Sequence, residues 1–407
     1  MSSDERFQPG TRGYSRVTRA LFAAGLATFA ELYTTQPLLP LLSAHFGLTA
    51  GSAALSVSVT TFALGIALLV VGPTSEVIGR TRVMMISLFG ASVVAIACAA
   101  APSWTSLLVL RGLLGLAAAG LPAVAVAYLR EEVAPTAMAR ATGQYIGGTA
   151  LGGMSGRLVA GVLADLGGWR LAVAGIGVLG LVCAIFVRAT LPASRHFVAV
   201  PLDHRVLWAM TRRVLVDRVL LALYVLPFLS MGAFVAVYNA MGFRLAAAPY
   251  RLSVGVAGLV FLTYALGSAS SSRAGRLADR YGHRAVVPIT LAIMLVGLVV
   301  TLTRPLALVI VGLALFTMGF FGCHGVASGW VVSRAAAGGP GAGQASALYT
   351  FMYYLGSSVA GAIAGVAWSA GGWVRVVEFT GALVLAGLVI TLWLRRTPAV
   401  KVAGPRS

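Results

Sequence analysis

The sequence predicts an all-α membrane protein of twelve transmembrane helices arranged as two pseudo-symmetric six-helix bundles, and three observations lead there. Of its residues 59% are hydrophobic and only 10% charged, whereas a soluble domain carries about 25% charged residues. Apolar runs of about 20 residues, each able to cross a hydrocarbon core about 30 Å thick, recur from Val17 to the Arg395 and Arg396 pair. The two halves also repeat one another's loop and glycine spacing.

Bounded by charge, Gly and Pro, the runs place spans over 18–41, 53–72, 83–101, 104–128, 138–164, 170–188, 219–242, 252–273, 285–303, 305–332, 343–369 and 374–394. An even number puts both termini on one side of the membrane. The tight junctions, Ala101 to Trp104 and Thr303 to Pro305, are where a merged pair of spans would change that parity. The basic N-terminus leading into an apolar segment has the outline of a signal peptide. The segment is longer than a signal core and many spans follow, so it reads as a retained first helix. Within it, Pro37 and Pro40 remove backbone donors and predict a bend.

Basic residues in short loops are held on the cytoplasmic side. Arg12, Arg16, Arg19, Arg80, Arg82, Arg130, Arg140, Arg188 through Arg218, Arg273, Arg276, Arg280, Arg284, Arg334, Arg395, Arg396, Lys401 and Arg406 fall on one face. The opposite loops hold only Arg170, Arg244, Arg251, Arg304 and Arg375. A bacterial inner-membrane protein with both termini cytoplasmic is expected. Residues 1–188 form one bundle and 219–407 the other, with a short cytoplasmic tail. The basic, proline-containing segment 189–218, with Pro192 and Pro201, reads as a cytoplasmic tether between them, too short for a domain of its own.

Composition also excludes several classes. The net charge of +19 invites a nucleic-acid reading, but the charges are scattered through short loops, so no nucleic-acid partner is expected. Lys401 is the only lysine, which rules out a Walker A phosphate loop. Cys98, Cys183 and Cys323 lie inside apolar runs and read as small buried hydrophobes, with no disulfide and no metal site. Gly175-Ile-Gly177-Val-Leu-Gly180 fits the dinucleotide fingerprint by letters, but it sits in an apolar span with no strand before it. No cofactor is expected, and the chain does not read as an enzyme.

The internal repeat is specific. The loop after the second span has Gly72, Glu76 and Gly79 with Arg80, and the loop after the eighth has Gly275, Asp279 and Gly282 with Arg280 and Arg284. Ala141, Tyr145, Gly152, Gly161 and Trp169 correspond at nearly the same offset to Ala345, Tyr349, Gly356, Gly365 and Trp373. Parallel repeats related by an axis along the membrane normal account for such matches. In each loop the glycines let helix ends turn, and the acid can cap a helix or pair with arginine, a cluster suited to latch one conformation.

Candidate functional residues follow from what hydrocarbon tolerates. Glu31 is the acid placed deep in a span, where burial penalises the charged form and suits a carboxyl to exchange protons. Arg111 in the fourth span costs roughly 2.5–3.5 kcal/mol to insert and must face the bundle interior or snorkel to a surface. His324, between Gly322 and Gly325, can titrate near neutrality. These three are the proton-coupling candidates. Tyr33, Gln36, Tyr145, Tyr238, Asn239, Tyr264, Tyr349 and Tyr353 are candidates for a substrate cavity. For each there is a plain alternative, packing or an interfacial aromatic belt. Gly143, Gly147, Gly148, Gly152, Gly153 and Gly156 give the fifth span a small-residue face for close helix packing.

The Gly275, Asp279, Arg280, Gly282, Arg284 loop resembles the signature cytoplasmic loop of the major facilitator superfamily; the first copy departs with Glu76 for Asp and Val77 for Arg. Arg111 with Gly112, Gly115 and Gly120 resembles that superfamily's arginine motif, associated with proton transfer in exporters. The fifth span partly resembles its exporter motif, with Thr149 at the proline position. Tyr33-Thr-Thr-Gln-Pro-Leu-Leu-Pro40, Gly152-Gly-Met-Ser-Gly-Arg157, Val237-Tyr-Asn239, Gly242-Phe-Arg244 and Tyr353-Tyr-Leu-Gly-Ser-Ser358 are similar to the YnfM-type branch of efflux permeases. The resemblance implies the major facilitator fold and a monomeric, proton-coupled exporter of a small organic solute, working by alternating access. Because direction is not written in the fold, a proton-linked importer of a sugar or organic acid is the alternative. Nothing resembles a channel's selectivity filter or an appended signalling domain.

Overall fold

A computed structural model of the chain describes residues 6–199 and 204–397; Pro201 of the linker and Lys401 and Arg406 of the tail lie outside the described residues. Among the described residues, nine helices are long and apolar enough to cross a bilayer. Two of these, Met138–Thr190 and Ala342–Arg396, run for 53 and 55 residues. At 1.5 Å per residue each would be about 80 Å long if straight, far more than a bilayer. Each is interrupted instead at a glycine pair, Gly167 with Gly168 and Gly371 with Gly372, and so makes two passes. Gly168 and Gly372 take φ of 75° and 63°, the left-handed region that favours glycine. The broken first span completes an architecture of twelve helices, with no strand among the described residues.

That first span runs as Arg12–Tyr33, breaks over 34–38, and resumes as Leu39–Phe46. Pro37 cannot donate to a preceding turn, so the helix stops before it, while Pro40 sits in the first turn of the next piece, where no donor is needed. Both tight junctions hold as turns. Ser103 caps Trp104–Ala118 through a reciprocal Ser103 and Ser106 box, and the ninth and tenth spans are separated between Val300 and Leu306. Several helices outlast their apolar runs, Ala50–Ile78 and Thr263–Tyr281 among them. An apolar run measures the thickness of hydrocarbon, whereas backbone hydrogen bonds carry the helix on into water.

The chain folds into two compact units, Met1–Leu48 with Leu55–Leu202 and Leu252–Leu259, and Thr49–Ala54 with Asp203–Arg251 and Val260–Ser407. Each is built around one close helix crossing. In the first, a β-carbon at Gly148, Gly152 or Gly156 of the fifth span would lie 2.3, 2.2 or 2.5 Å from the backbone of Phe22, Leu26 or Ala30 in the first span. In the second, a β-carbon at Gly356 would lie 2.1 Å from the Phe228 carbonyl oxygen. Gly152 and Gly356 are matched positions of the repeat, and at both only glycine lets the two backbones touch.

Two arginines serve as helix caps. Arg170 donates to the Ala99 and Ala101 carbonyls at the end of the third span, at 2.7 and 3.0 Å. Arg244 does the same for Thr301 and Thr303 at the end of the ninth. Each stands over a tryptophan ring, Trp169 and Trp373, which are partners in the repeat. Guanidinium against terminal carbonyls offsets the negative end of a helix.

The linker is more structured than a plain tether. Its start is fastened to the first unit, where the buried Glu132 carboxylate accepts the backbone N–H of Arg195 and His196 at 2.6 and 2.9 Å. The Tyr128 hydroxyl donates to the Pro192 carbonyl. Further on lies a helix, His204–Val216, that the sequence reading did not anticipate. It is too short and too basic to register as a span.

Asp217, which follows that helix, caps the seventh span by accepting from the Val219 and Leu220 N–H, and pairs with Arg334 at 2.9 Å. Partial burial alone would raise its pKa, but the Arg334 and backbone hydrogen bonds and the guanidinium charge outweigh that and hold the carboxyl below the usual aspartate value. The unfolded chain therefore takes up the proton first as pH falls. The stabilisation from Asp217 is complete above the ordinary carboxylate pKa of about 3.9 and disappears as pH drops through the depressed folded value. Asp217→Asn should melt below the wild type at pH 7, with the two melting curves converging in acid; curves that stay parallel would show that Asp217 contributes nothing.

Candidate functional site

Within the first unit, buried polar groups collect around the break in the first span. Glu31 lies in the last turn before the break and is 1% exposed. Its carboxyl oxygen Oε1 is buried without a hydrogen-bond partner. Arg111, also 1% exposed, does not snorkel. Its guanidinium donates from Nε to the Ser56 carbonyl at 3.0 Å, from one terminal nitrogen to the Glu31 carbonyl at 3.1 Å, and from the other to the Leu32 carbonyl at 2.6 Å. Breaking the helix at Thr34 strips its last carbonyls of the amide partners a continuing helix would supply. Arg111 replaces them and places a positive charge at the negative end of the helix. Arg111 thus bonds the Glu31 backbone and not its carboxylate.

A second buried arginine sits across the break. Arg157 of the fifth span donates from Nε to Gln36 Oε1 at 2.6 Å and to the Gly153 carbonyl, with its guanidinium 4.2 Å from the Tyr33 ring centroid. Gln36 is itself buried. The sequence reading missed Arg157 as a site residue, although the insertion penalty that singled out Arg111 applies to it equally. Tyr145, on the same helix, belongs instead to a packing cluster with Tyr14, Leu21 and Tyr128.

Within the second unit the candidates form a file of rings. The Tyr238 hydroxyl is hydrogen-bonded at 2.7 Å to both Thr263 and Thr317, and its ring meets Tyr264 edge-on at 5.1 Å. Phe234 packs on Tyr264 and stacks on Phe320 at 4.0 Å, and Phe320 stacks on His324. His324 Nδ1 lies 3.0 Å from the Tyr349 hydroxyl, and the imidazole is 4.8 Å from the Tyr353 ring. Phe234 and Phe320, which join the tyrosines to His324, were not among the sequence candidates because phenylalanine in a span has no polar signal. Asn239 stands apart, donating to the Gly361 carbonyl.

The two signature loops share a backbone device. Gly79 and Gly282 both have positive φ, 102° and 83°, between consecutive helices. Gly72 and Gly275 lie within the helices that precede them. In the first loop Arg80 bonds Glu131 at 2.9 Å and Ser75 at 2.6 Å and lies 3.6 Å from Glu76. In the second, Asp279 and Arg280 are exposed, Arg280 stands over Tyr281, and Arg284 donates to the Thr397 carbonyl.

A duplicated twelve-helix bundle with ionisable side chains buried at a broken span defines a polytopic membrane transporter rather than an enzyme. The model of the Major Facilitator Superfamily matches residues 21–269. The chain belongs to that superfamily. It is 42% identical over 388 residues to the uncharacterized MFS-type transporter YybF of Bacillus subtilis (strain 168), covering 95% of each chain. It is 43% identical over 387 residues to the inner membrane transport protein YnfM of Escherichia coli (strain K12), covering 95% of this chain and 92% of that one. Its fold is similar to that of a bacterial homolog of the human lysosomal transporter Spinster, with a TM-score of 0.79 at 15% identity, over 98% of this chain and 100% of that one. A D-xylose-proton symporter is also similar, with a TM-score of 0.75 at 14% identity, over 95% of this chain and 98% of that one.

Proposed function

We propose that the chain exports a small organic solute from a bacterial cell in exchange for protons, with Glu31 as the group that takes up and releases the proton. The observation that carries this reading is the wholly buried Glu31 carboxyl, whose Oε1 has no hydrogen-bond partner, beside an Arg111 guanidinium already engaged with backbone carbonyls. A proton arriving at Glu31 removes the charge that faces Arg111. Arg111 holds the end of the first helix, so the change is delivered to the break at 34–38, and onward through Gln36 and Tyr33 to Arg157. In the second unit the ring file from Tyr238 to His324, Tyr349 and Tyr353 suits a flat or apolar solute. The signature loops act as conformational latches, with Arg80 able to trade Glu76 for Glu131. Residues 1–188 and 219–407 work as the two halves, the protein is a monomer, and both termini lie in the cytoplasm. The similarity to an inner membrane transport protein supports placement in that membrane.

A proton-linked importer of a sugar or organic acid is the second reading, favoured by the likeness of fold to a D-xylose-proton symporter. A deletion strain separates the two. Export predicts heightened sensitivity to at least one compound in a panel of toxic organic molecules. Unchanged sensitivity across the panel, with growth lost on one carbon source, would establish import instead.

A further inference from the structure

The seat occupied by the Glu31 carboxyl exists because residue 180 has no side chain. A β-carbon built at Gly180 would lie 1.7 Å from Glu31 Oε1, 2.7 Å from the carboxyl carbon and 2.8 Å from Ser92 Oγ. The neighbouring Gly177 does something different. Its β-carbon would meet Ile96 at 2.8 Å, backbone nitrogen included, so that glycine brings the third and sixth spans together. The carboxyl is thus packed between the first, third and sixth spans, against Ser92 and Gly180, with its Oε1 unpartnered. The Ser92 hydroxyl donates to the Leu88 carbonyl at 2.8 Å and also interacts with the Glu31 carboxyl. The titratable and charged groups that face the carboxyl are Arg111 from the fourth span, Cys98 from the third and Cys183 from the sixth. Among the described residues no second carboxylate bonds it.

We propose that Gly180 is a positioning residue for proton exchange at Glu31: the missing side chain leaves the carboxyl its place between the first, third and sixth spans, and any β-carbon there drives it out. The inference rests on the reading of Glu31 as the proton-exchanging group. To clear an alanine methyl the carboxyl must move by roughly 1.5 Å. Aspartate at position 31 is one methylene shorter and withdraws the carboxyl by about that distance.

Infrared difference spectra of the purified protein, recorded while pH alone is varied, test this without a transported substrate. Glu31→Gln first identifies the carboxylic C=O band that belongs to Glu31. Gly180→Ala is expected to shift the frequency of that band and to move its midpoint by at least one pH unit. Adding Glu31→Asp to Gly180→Ala is expected to bring the midpoint back toward the wild type. An unaltered band and midpoint in Gly180→Ala overturn the proposal, as does a double variant no nearer the wild type than Gly180→Ala. If Gly180→Ala cannot be recovered folded, recovery of the double variant supports the proposal and loss of both overturns it. A band that shifts as expected, while Glu31→Gln still couples transport to a pH gradient, leaves the positioning intact and rejects the coupling role.

Discussion

Glu31→Gln is expected to abolish accumulation driven by a pH gradient while leaving exchange of solute across the membrane intact. Glutamine keeps the size and much of the polarity of the side chain but takes up no proton in the accessible pH range. The carrier then cycles only when loaded with solute on both sides. Counterflow in proteoliposomes should therefore proceed near the wild-type rate, whereas uptake against a gradient should fall to background. Full pH-driven accumulation in the variant would remove Glu31 from the mechanism.

The second large effect is expected from Arg111, and it is structural before it is functional. Arg111→Ala takes its donor from the buried Leu32 carbonyl, while the Ser56 and Glu31 carbonyls keep the Thr60 and Thr34 hydroxyls. An orphaned buried group costs about 1–3 kcal/mol, so a loss of about that size is expected from the Leu32 carbonyl alone. Arg111→Lys retains the charge, but an ammonium lacks the planar fork that reaches three carbonyls on two helices. We expect it to melt between the wild type and Arg111→Ala. Thermal unfolding in detergent micelles measures the order directly; equal melting of all three would show that the capping bonds do not stabilise the unit.

The positions of the twelve spans were legible because the bilayer imposes one length on every crossing. A bend in the first span was legible from Pro37 and Pro40, but not that it would be a full break, since Pro73, Pro227 and Pro288 lie inside continuous helices. The repeat pointed to Gly152 and Gly356 before any contact was known, and both sit where backbones touch. What stayed illegible was the identity of the partners. Arg111, Arg170 and Arg244 all bond backbone carbonyls, and a carbonyl has no letter in a sequence. Arg157 meets Gln36, 121 positions away, through a helix crossing that only the fold supplies. Gly180 was first met as part of a spurious nucleotide fingerprint, because the residue that explains it lies on another span. The linker helix His204–Val216 escaped because a search for spans discards short basic segments.

The exchange of protons for solute is tested most directly by the pH change that accompanies transport. A compound that raises the melting temperature of the purified protein serves as the probe, since binding stabilises the folded state by mass action. Proteoliposomes preloaded with that compound and containing wild-type protein should show proton movement opposite to the compound's release, and the same vesicles made with Glu31→Gln should show none. Release of the compound with no accompanying change in pH would contradict the account.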